Sequence, residues 1–187
     1  MCLKFIEFKY ETSVMIYSLR SRSWKSVGNF PHDMPLGYSA KFFNGALHWA
    51  GDNDLVHDYS SNYTSGVVKV SFDWDITFMD LAMETYGEIL QPEYDEGNDY
   101  NDLQLGSLRG LLCVLSNYYG IRADLWVMKV YGVTDSWTKL ISVPYLTNPG
   151  SVRFSVPLCI SNDGKVSLRL GWKLIVCDSK NNSFFEI

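Results

Sequence analysis

The chain has 187 residues, 47% of them hydrophobic and 15% aromatic, enough for one domain with a sizeable core but short for two. Its net charge of −5 argues against a nucleic-acid partner, which would demand a basic face, and permits a basic protein partner. Charges interrupt every apolar run of residues 1–11, so neither a signal peptide nor a membrane span is expected there.

Residues 1–10 open in mid-strand, with Leu3, Phe5 and Phe8 apolar. Residues 14–27 read as a hairpin whose polar turn lies at Arg20–Ser23 and whose return strand opens on Trp24. A loop is expected over 28–38, marked by Pro31, Pro35 and Gly37. Residues 41–51 form a second hairpin, with Asn44-Gly45 supplying the two positive-φ residues of a type I′ turn. Residues 52–66 read as a surface loop, 67–73 as a strand and 85–90 as its partner. Residues 91–102 are acidic, nearly free of aliphatic side chains, and read as an exposed loop.

A hairpin follows over 103–115, turning at Arg109-Gly110, then a loop over 117–122. The clearest unit is 124–143, DLWVMKVYGVTDSWTKLISV: alternating bulky residues, a polar break at 132–135, and Trp137 leading the return. A loop at 145–151 precedes two strands within 152–170, joined at Asn162-Asp163-Gly164. The last hairpin, 173–187, turns at 178–182 with Phe184 at the position of the earlier tryptophans.

No segment carries a sustained helical period with caps. Two hairpin types alternate, one with glycine near its tip and one with an aromatic return strand. A pair makes a four-stranded unit of roughly 40–60 residues, the scale of a propeller blade. The reading is all-β, with a β-sandwich as the competing architecture. Trp24, Trp49, Trp126 and Trp137 recur at matching points and are expected to pack between blades, whereas Trp74 and Trp172 fall off the pattern.

The residue chemistry is sparse. Cys2, Cys113, Cys159 and Cys177 lie in or beside apolar runs with no CxxC pair, so four buried reduced thiols in a reducing compartment are expected, and no zinc site. That places the protein in the cytoplasm or nucleus. His48 lies inside a hairpin and reads as packed and hydrogen-bonded; His32 and His57 lie in loops. No Gly-x-Ser-x-Gly elbow occurs, and the glycine-bearing stretch 105–110 lacks the following helix that a phosphate loop needs. No catalytic residue, cofactor or metal is assigned. The most suggestive polar feature is the acidic loop, where Glu93, Asp95, Glu96, Asp99 and Asp102 flank Tyr94 and Tyr100. Tyrosines give contact area at low entropy cost and carboxylates steer a basic partner. Asp52 and Asp54, with Asp58, would add to that potential if the two loops share a face, and Trp74 is a further candidate contact.

Residues 43–49 (FNGALHW), 71–73 (SFD), 86–90 (YGEIL), 105–115 (LGSLRGLLCVL), 124–140 (DLWVMKVYGVTDSWTKL) and 157–165 (PLCISNDGK) resemble, in order, the F-box-associated domain of plant F-box proteins. The S-locus F-box and F-box/kelch-like members look most similar, and 14–24 (VMIYSLRSRSW) resembles the family's usual entry. The resemblance spans nearly the whole of 1–187. It implies a kelch-like β-propeller, here partial with about three to four blades, that holds a target protein and is not an enzyme. In the family an N-terminal F-box docks a Skp-type adaptor in a cullin–RING ubiquitin ligase. No F-box precedes Met1, so adaptor and cullin would be reached only through a segment outside this chain. A truncated decoy that binds the same target is an alternative, and a small β-scaffold hydrolase a more distant one. Residues 74–80 (WDITFMD) look inserted relative to the family.

Overall fold

The computed structural model describes residues 2–6, 9–31, 34–35, 40–52, 74–94, 102–118, 121–144, 155–170, 173–178, 180–181 and 183–187. These form four antiparallel sheets, each built from strands that follow one another in the chain. The first holds β1 (Cys2–Ile6), β2 (Lys9–Ser18) and β3 (Ser23–Asn29). The second holds β4 (Met34–Pro35), β5 (Lys41–Phe43), β6 (Ala46–Asp52), β7 (Trp74–Asp80) and β8 (Thr85–Ile89). Both β4 and β5 pair along β6, so together they make one interrupted first strand. The third holds β9 (Asp102–Leu108), β10 (Leu111–Tyr118), β11 (Arg122–Met128) and β12 (Trp137–Pro144). The fourth holds β13 (Ser155–Ile160), β14 (Lys165–Leu170), β15 (Lys173–Asp178) and β16 (Ser183–Glu186). The all-β reading holds, and four sheets rather than two set the arrangement apart from a sandwich. Among the described residues the only helix is a single 3-10 turn, Thr134–Ser136.

The turns form where backbone chemistry demands. Asn44 and Gly45 sit at φ 48° and 78°, and Arg109 and Gly110 at 50° and 74°, the paired left-handed residues of tight hairpins. The aromatic hairpins share a second design. Ser18 pairs with Ser23, Asp80 with Thr85 and Asp178 with Ser183, and the next residue is Trp24, Tyr86 or Phe184. Asp80 Oδ1 accepts from the amides of Ala82 and Met83, and Asp178 Oδ1 from that of Lys180. Ser18 Oγ accepts likewise from the amide of Ser21. Such side-chain-to-backbone bonds close the turn locally. This equivalence places β2 and β3 at the third and fourth positions of a four-strand unit.

Burial explains the hydrophobic pattern. The third sheet lies between its neighbours. One face (Cys113, Leu115, Leu125, Val127) meets Val166, Leu168, Ile175 and Cys177 of the fourth sheet. The other (Leu105, Leu112, Val114, Met128) meets Ala50, Ile76 and Ile89 of the second. A strand covered on both faces needs no alternation, which is why β10 begins as the unbroken run LLCVL. Phe30, after β3, seals the first sheet on the second, edge-on to Trp49 and Tyr86.

Several sequence expectations change. Residues 74–80, which look inserted relative to the family, form β7, a central strand between β6 and β8. β8 pairs with β7; residues 67–73, expected as its partner, lie outside the described residues. The loop expected over 28–38 contains the short β4, and β10 runs on to Tyr118. Cys113 and Cys177 are buried thiols as expected, but Cys159 is exposed, because the strand shifts register between Pro157 and Cys159. Trp24 does not pack between sheets: it is 63% exposed and rests on Tyr17.

Candidate interaction surface

The β9–β10 and β11–β12 turns share one end of the third sheet and reach the sheets on either side. Arg109 of the β9–β10 turn donates to the Ser161 carbonyl at 3.0 Å and to Asn162 Oδ1 at 3.1 Å, joining the third sheet's turn to the fourth's. Tyr131 of the β11–β12 turn reaches back to the second sheet, where its hydroxyl lies 2.8 Å from His48 Nε2. His48 is fully buried, with Nδ1 3.3 Å from the Lys41 carbonyl. Nδ1–H donates there, leaving Nε2 to accept from the tyrosine. Burial holds the His48 pKa below its ordinary value, and burial followed by the Asp80 carboxylate pushes that of Tyr131 up. His48 is thus a packed strut between two sheets, as its sequence position suggested.

The acidic candidates fall at the opposite strand ends. Asp52 closes β6 directly across from Trp74, the first residue of β7, and Asp102 opens β9 across from Asn117. Asp52 and Asp102 thus each lie at the strand end away from the β5–β6 and β9–β10 turns. Asp54, Asp95, Glu96, Asp99 and Tyr100 lie outside the described residues. Glu93 is exposed, whereas Tyr94 is half-buried and stands edge-on to Trp126, with centroids 5.9 Å apart. The stretch read as a wholly exposed loop is therefore anchored at its start: Pro92 is buried and Tyr94 packs into the core between the second and third sheets.

Beside that anchor lies a charged cluster that sequence reasoning missed. Asp124 is fully buried in β11. It accepts from Arg122 Nε at 3.0 and 3.1 Å and from Ser142 Oγ at 2.6 Å, and Lys139 Nζ stands 3.5 Å away. The Arg122 guanidinium lies 4.5 Å from the Tyr118 ring centroid and the Lys139 ammonium 5.1 Å from that of Trp126. The readable signal was Arg122 and Asp124 two apart on one strand, hence on one face, with Ser142 opposite on β12. The cluster fixes the end of the third sheet and keeps a buried carboxylate satisfied.

The two buried thiols offer no nucleophile. Burial pushes Cys113 up to about 12 and Cys177 up to about 11, so both stay protonated at neutral pH. Among the described residues no three His, Cys, Asp or Glu side chains gather as a metal site, and no helix is long and apolar enough to cross a membrane. What the fold offers is loops and turns carried on rigid sheets.

Comparison with known proteins adds what geometry leaves open. The sequence profile described as the F-box associated beta propeller domain matches residues 2–184. The chain is 32% identical over 179 residues to "F-box/kelch-repeat protein At3g23880" of Arabidopsis thaliana, covering 92% of this chain and 42% of that protein. It is 31% identical over 164 residues to "F-box protein CPR1" of the same plant, covering 84% and 38%. "F-box protein At3g07870" is 32% identical over 145 residues, covering 74% and 31%. The chain thus spans about two fifths or less of the length of these relatives.

Proposed function

Because the chain belongs to the F-box-associated β-propeller domain family, we propose that it is the target-binding part of a cullin–RING ubiquitin ligase and works by binding alone. The observation that carries this is the family match along residues 2–184, together with the similarity to relatives that are F-box proteins. In this reading the four sheets are successive blades of a partial β-propeller: the three later ones have the four-strand order of a blade, and the first has three strands. The rigid blades hold loops in fixed register, and target capture precedes ubiquitin transfer carried out elsewhere in the complex. The Skp-type adaptor and the cullin are engaged through an F-box, and the site of action is the cytoplasm or nucleus.

The target contact proposed for the acidic end uses Glu93, Tyr94, Asp95, Glu96, Asp99, Tyr100 and Asp102, with Asp52, Asp54 and Trp74 beside them. Carboxylates there would steer a basic protein target. The placement of Asp52 and Asp102 at strand ends away from the tight turns supports this assignment.

A pulldown compares the full-length parent protein with this 187-residue chain, probing each for the Skp-type adaptor and for captured proteins. Adaptor with the parent alone, and one shared target with both, is the expected result. The same target held by the chain expressed by itself, without adaptor, describes a decoy. A folded chain that captures no target of the parent overturns the reading.

A further inference from the structure

The turn end carries a feature that the acidic-loop reading leaves unused. Equivalent hairpins of three successive sheets present apolar side chains to solvent. The turn after β2 exposes Leu19 at 85%, the turn after β7 exposes Met83 at 68%, and the turn after β11 exposes Val130 at 57% and Val133 at 46%. Turn residues are ordinarily polar, and single exposed apolar residues need no explanation. Here they recur on the equivalent turn of neighbouring sheets.

The three turns are contiguous. Lys25, at the start of β3, bonds Glu84 of the β7–β8 turn and so ties the first turn to the second. Tyr131 of the third turn packs its ring 5.4 Å from that of Phe43, beside the β5–β6 turn, whose Gly45 carbonyl accepts from the Leu81 amide of the second. Each turn is held rigidly. Asp80 caps the second through the amides of Ala82 and Met83. In the third, Ser136 Oγ donates to the carbonyls of Val130 and Val133 and accepts from the Val130 amide. A rigid surface loses little entropy when a partner docks.

The charges between these apolar residues are mostly positive. Arg20, Arg22 and Lys129 are exposed, and none is in an ion pair among the described residues. Of the carboxylates on these turns, Glu84 is paired with Lys25, while Asp80, held by backbone amides, and Asp135 keep their charge, so the unpaired cations Arg20, Arg22 and Lys129 face two carboxylates. In a chain of net charge −5, this is a locally cationic and apolar end.

We propose that the turns around Leu19, Met83, Val130 and Val133 form a second docking surface for a protein segment whose apolar residues are interleaved with carboxylates. Arg20, Arg22 and Lys129 pair with the carboxylates at the rim, and the four apolar side chains lose their water to the segment's apolar residues. The inference rests on the target-binding reading and names a surface and a partner chemistry opposite in sign to the acidic loops.

The test is an NMR titration of the isotopically labelled 187-residue chain with two synthetic amphipathic peptides, one of Leu and Glu and one of Leu and Lys. The Leu/Glu peptide should shift the amide signals of 19–22, 81–84 and 129–136, with the Leu/Lys peptide binding at least about tenfold more weakly. The pair L19S/M83S should weaken Leu/Glu binding about tenfold while leaving signals away from the turns in place. Equal binding of both peptides, shifts mapping to other residues, unchanged affinity of the pair variant, or no binding would each overturn it. None of those results touches the adaptor and target pulldown, so the two readings fail separately.

Discussion

The first and third sheets are built on the same hairpin grammar and live in opposite surroundings. In the third, both faces are covered, and β10 and β11 carry eight and seven residues of which nearly all are buried. In the first, β3 is exposed at six of its seven positions, and the face bearing Met15, Tyr17 and Trp24 looks into solvent. Trp24 and Trp137 open equivalent return strands, yet only Trp137 packs between sheets, with its indole N–H donating to the Leu90 carbonyl at 3.0 Å. A motif therefore specifies the local fold of a hairpin, while its stability contribution is set by what the neighbouring sheet covers.

Core truncation should show the contrast most strongly. Leu125→Ala removes a fully buried side chain between the third and fourth sheets and should cost about 3 kcal/mol, read as a lower urea midpoint at unchanged slope. Asp124→Ala comes next. It strands Arg122 and Lys139 beside a vanished carboxylate and leaves Ser142 without its acceptor. Both cations are partly exposed, so water absorbs part of the penalty and about 2 kcal/mol is expected. If Asp124→Ala were as stable as wild type, the cluster would be a surface ornament and the third sheet's end would be held by packing alone.

Gly106→Ala probes how closely the third sheet approaches the fourth. A Cβ there would stand 2.7 Å from Pro157 Cγ and 2.9 Å from Cys113 Sγ. The proline ring cannot swing aside, so the sheets must separate slightly, at a cost of about 1–2 kcal/mol. Smaller again is the pH dependence of the His48 strut. Its pKa in the folded protein is lowered by burial, so the unfolded chain binds the proton more readily. The contribution is complete above about pH 6.5 and is lost as pH falls from there toward the lowered folded value. His48→Gln should flatten that part of the stability–pH curve. An unchanged curve would assign the acid sensitivity to other groups.

The hairpins were legible because their determinants are local. Asn44-Gly45 and Arg109-Gly110 announce tight turns, and Trp137 and Phe184 announce return strands. What could not be read was set by partners distant in sequence. Residues 74–80 alternate like any strand, yet only pairing with β6 and β8 makes them a central one. Tyr94 sits in an acidic, turn-like stretch, and nothing nearby in the chain indicates that it will find Trp126. Of the acidic candidate site, sequence supplied composition, and the structure adds that Asp52 and Asp102 lie at strand ends away from the tight turns. The turn surface was invisible because Leu19 and Met83 look like core residues until their turns are seen to project.

The smallest expected effect lies at Trp24. With 63% of its surface in water and Tyr17 as its ring neighbour at 5.1 Å, Trp24→Ser removes little buried area. The loss should be under about 1 kcal/mol in the isolated chain, several-fold less than truncation of Leu125. The serine variant also exposes less apolar surface, so it should be at least as soluble, which light scattering during refolding would show. The discriminating experiment repeats the substitution in a full-length parent protein. An effect that stays small there means that the open face of the first sheet remains exposed to water. A loss rising to about 3 kcal/mol in the parent means that another part of the longer chain covers Met15, Tyr17 and Trp24, as the fourth sheet covers the third. The difference between first and third sheets would then belong to these 187 residues taken alone and not to the sequences of the sheets themselves.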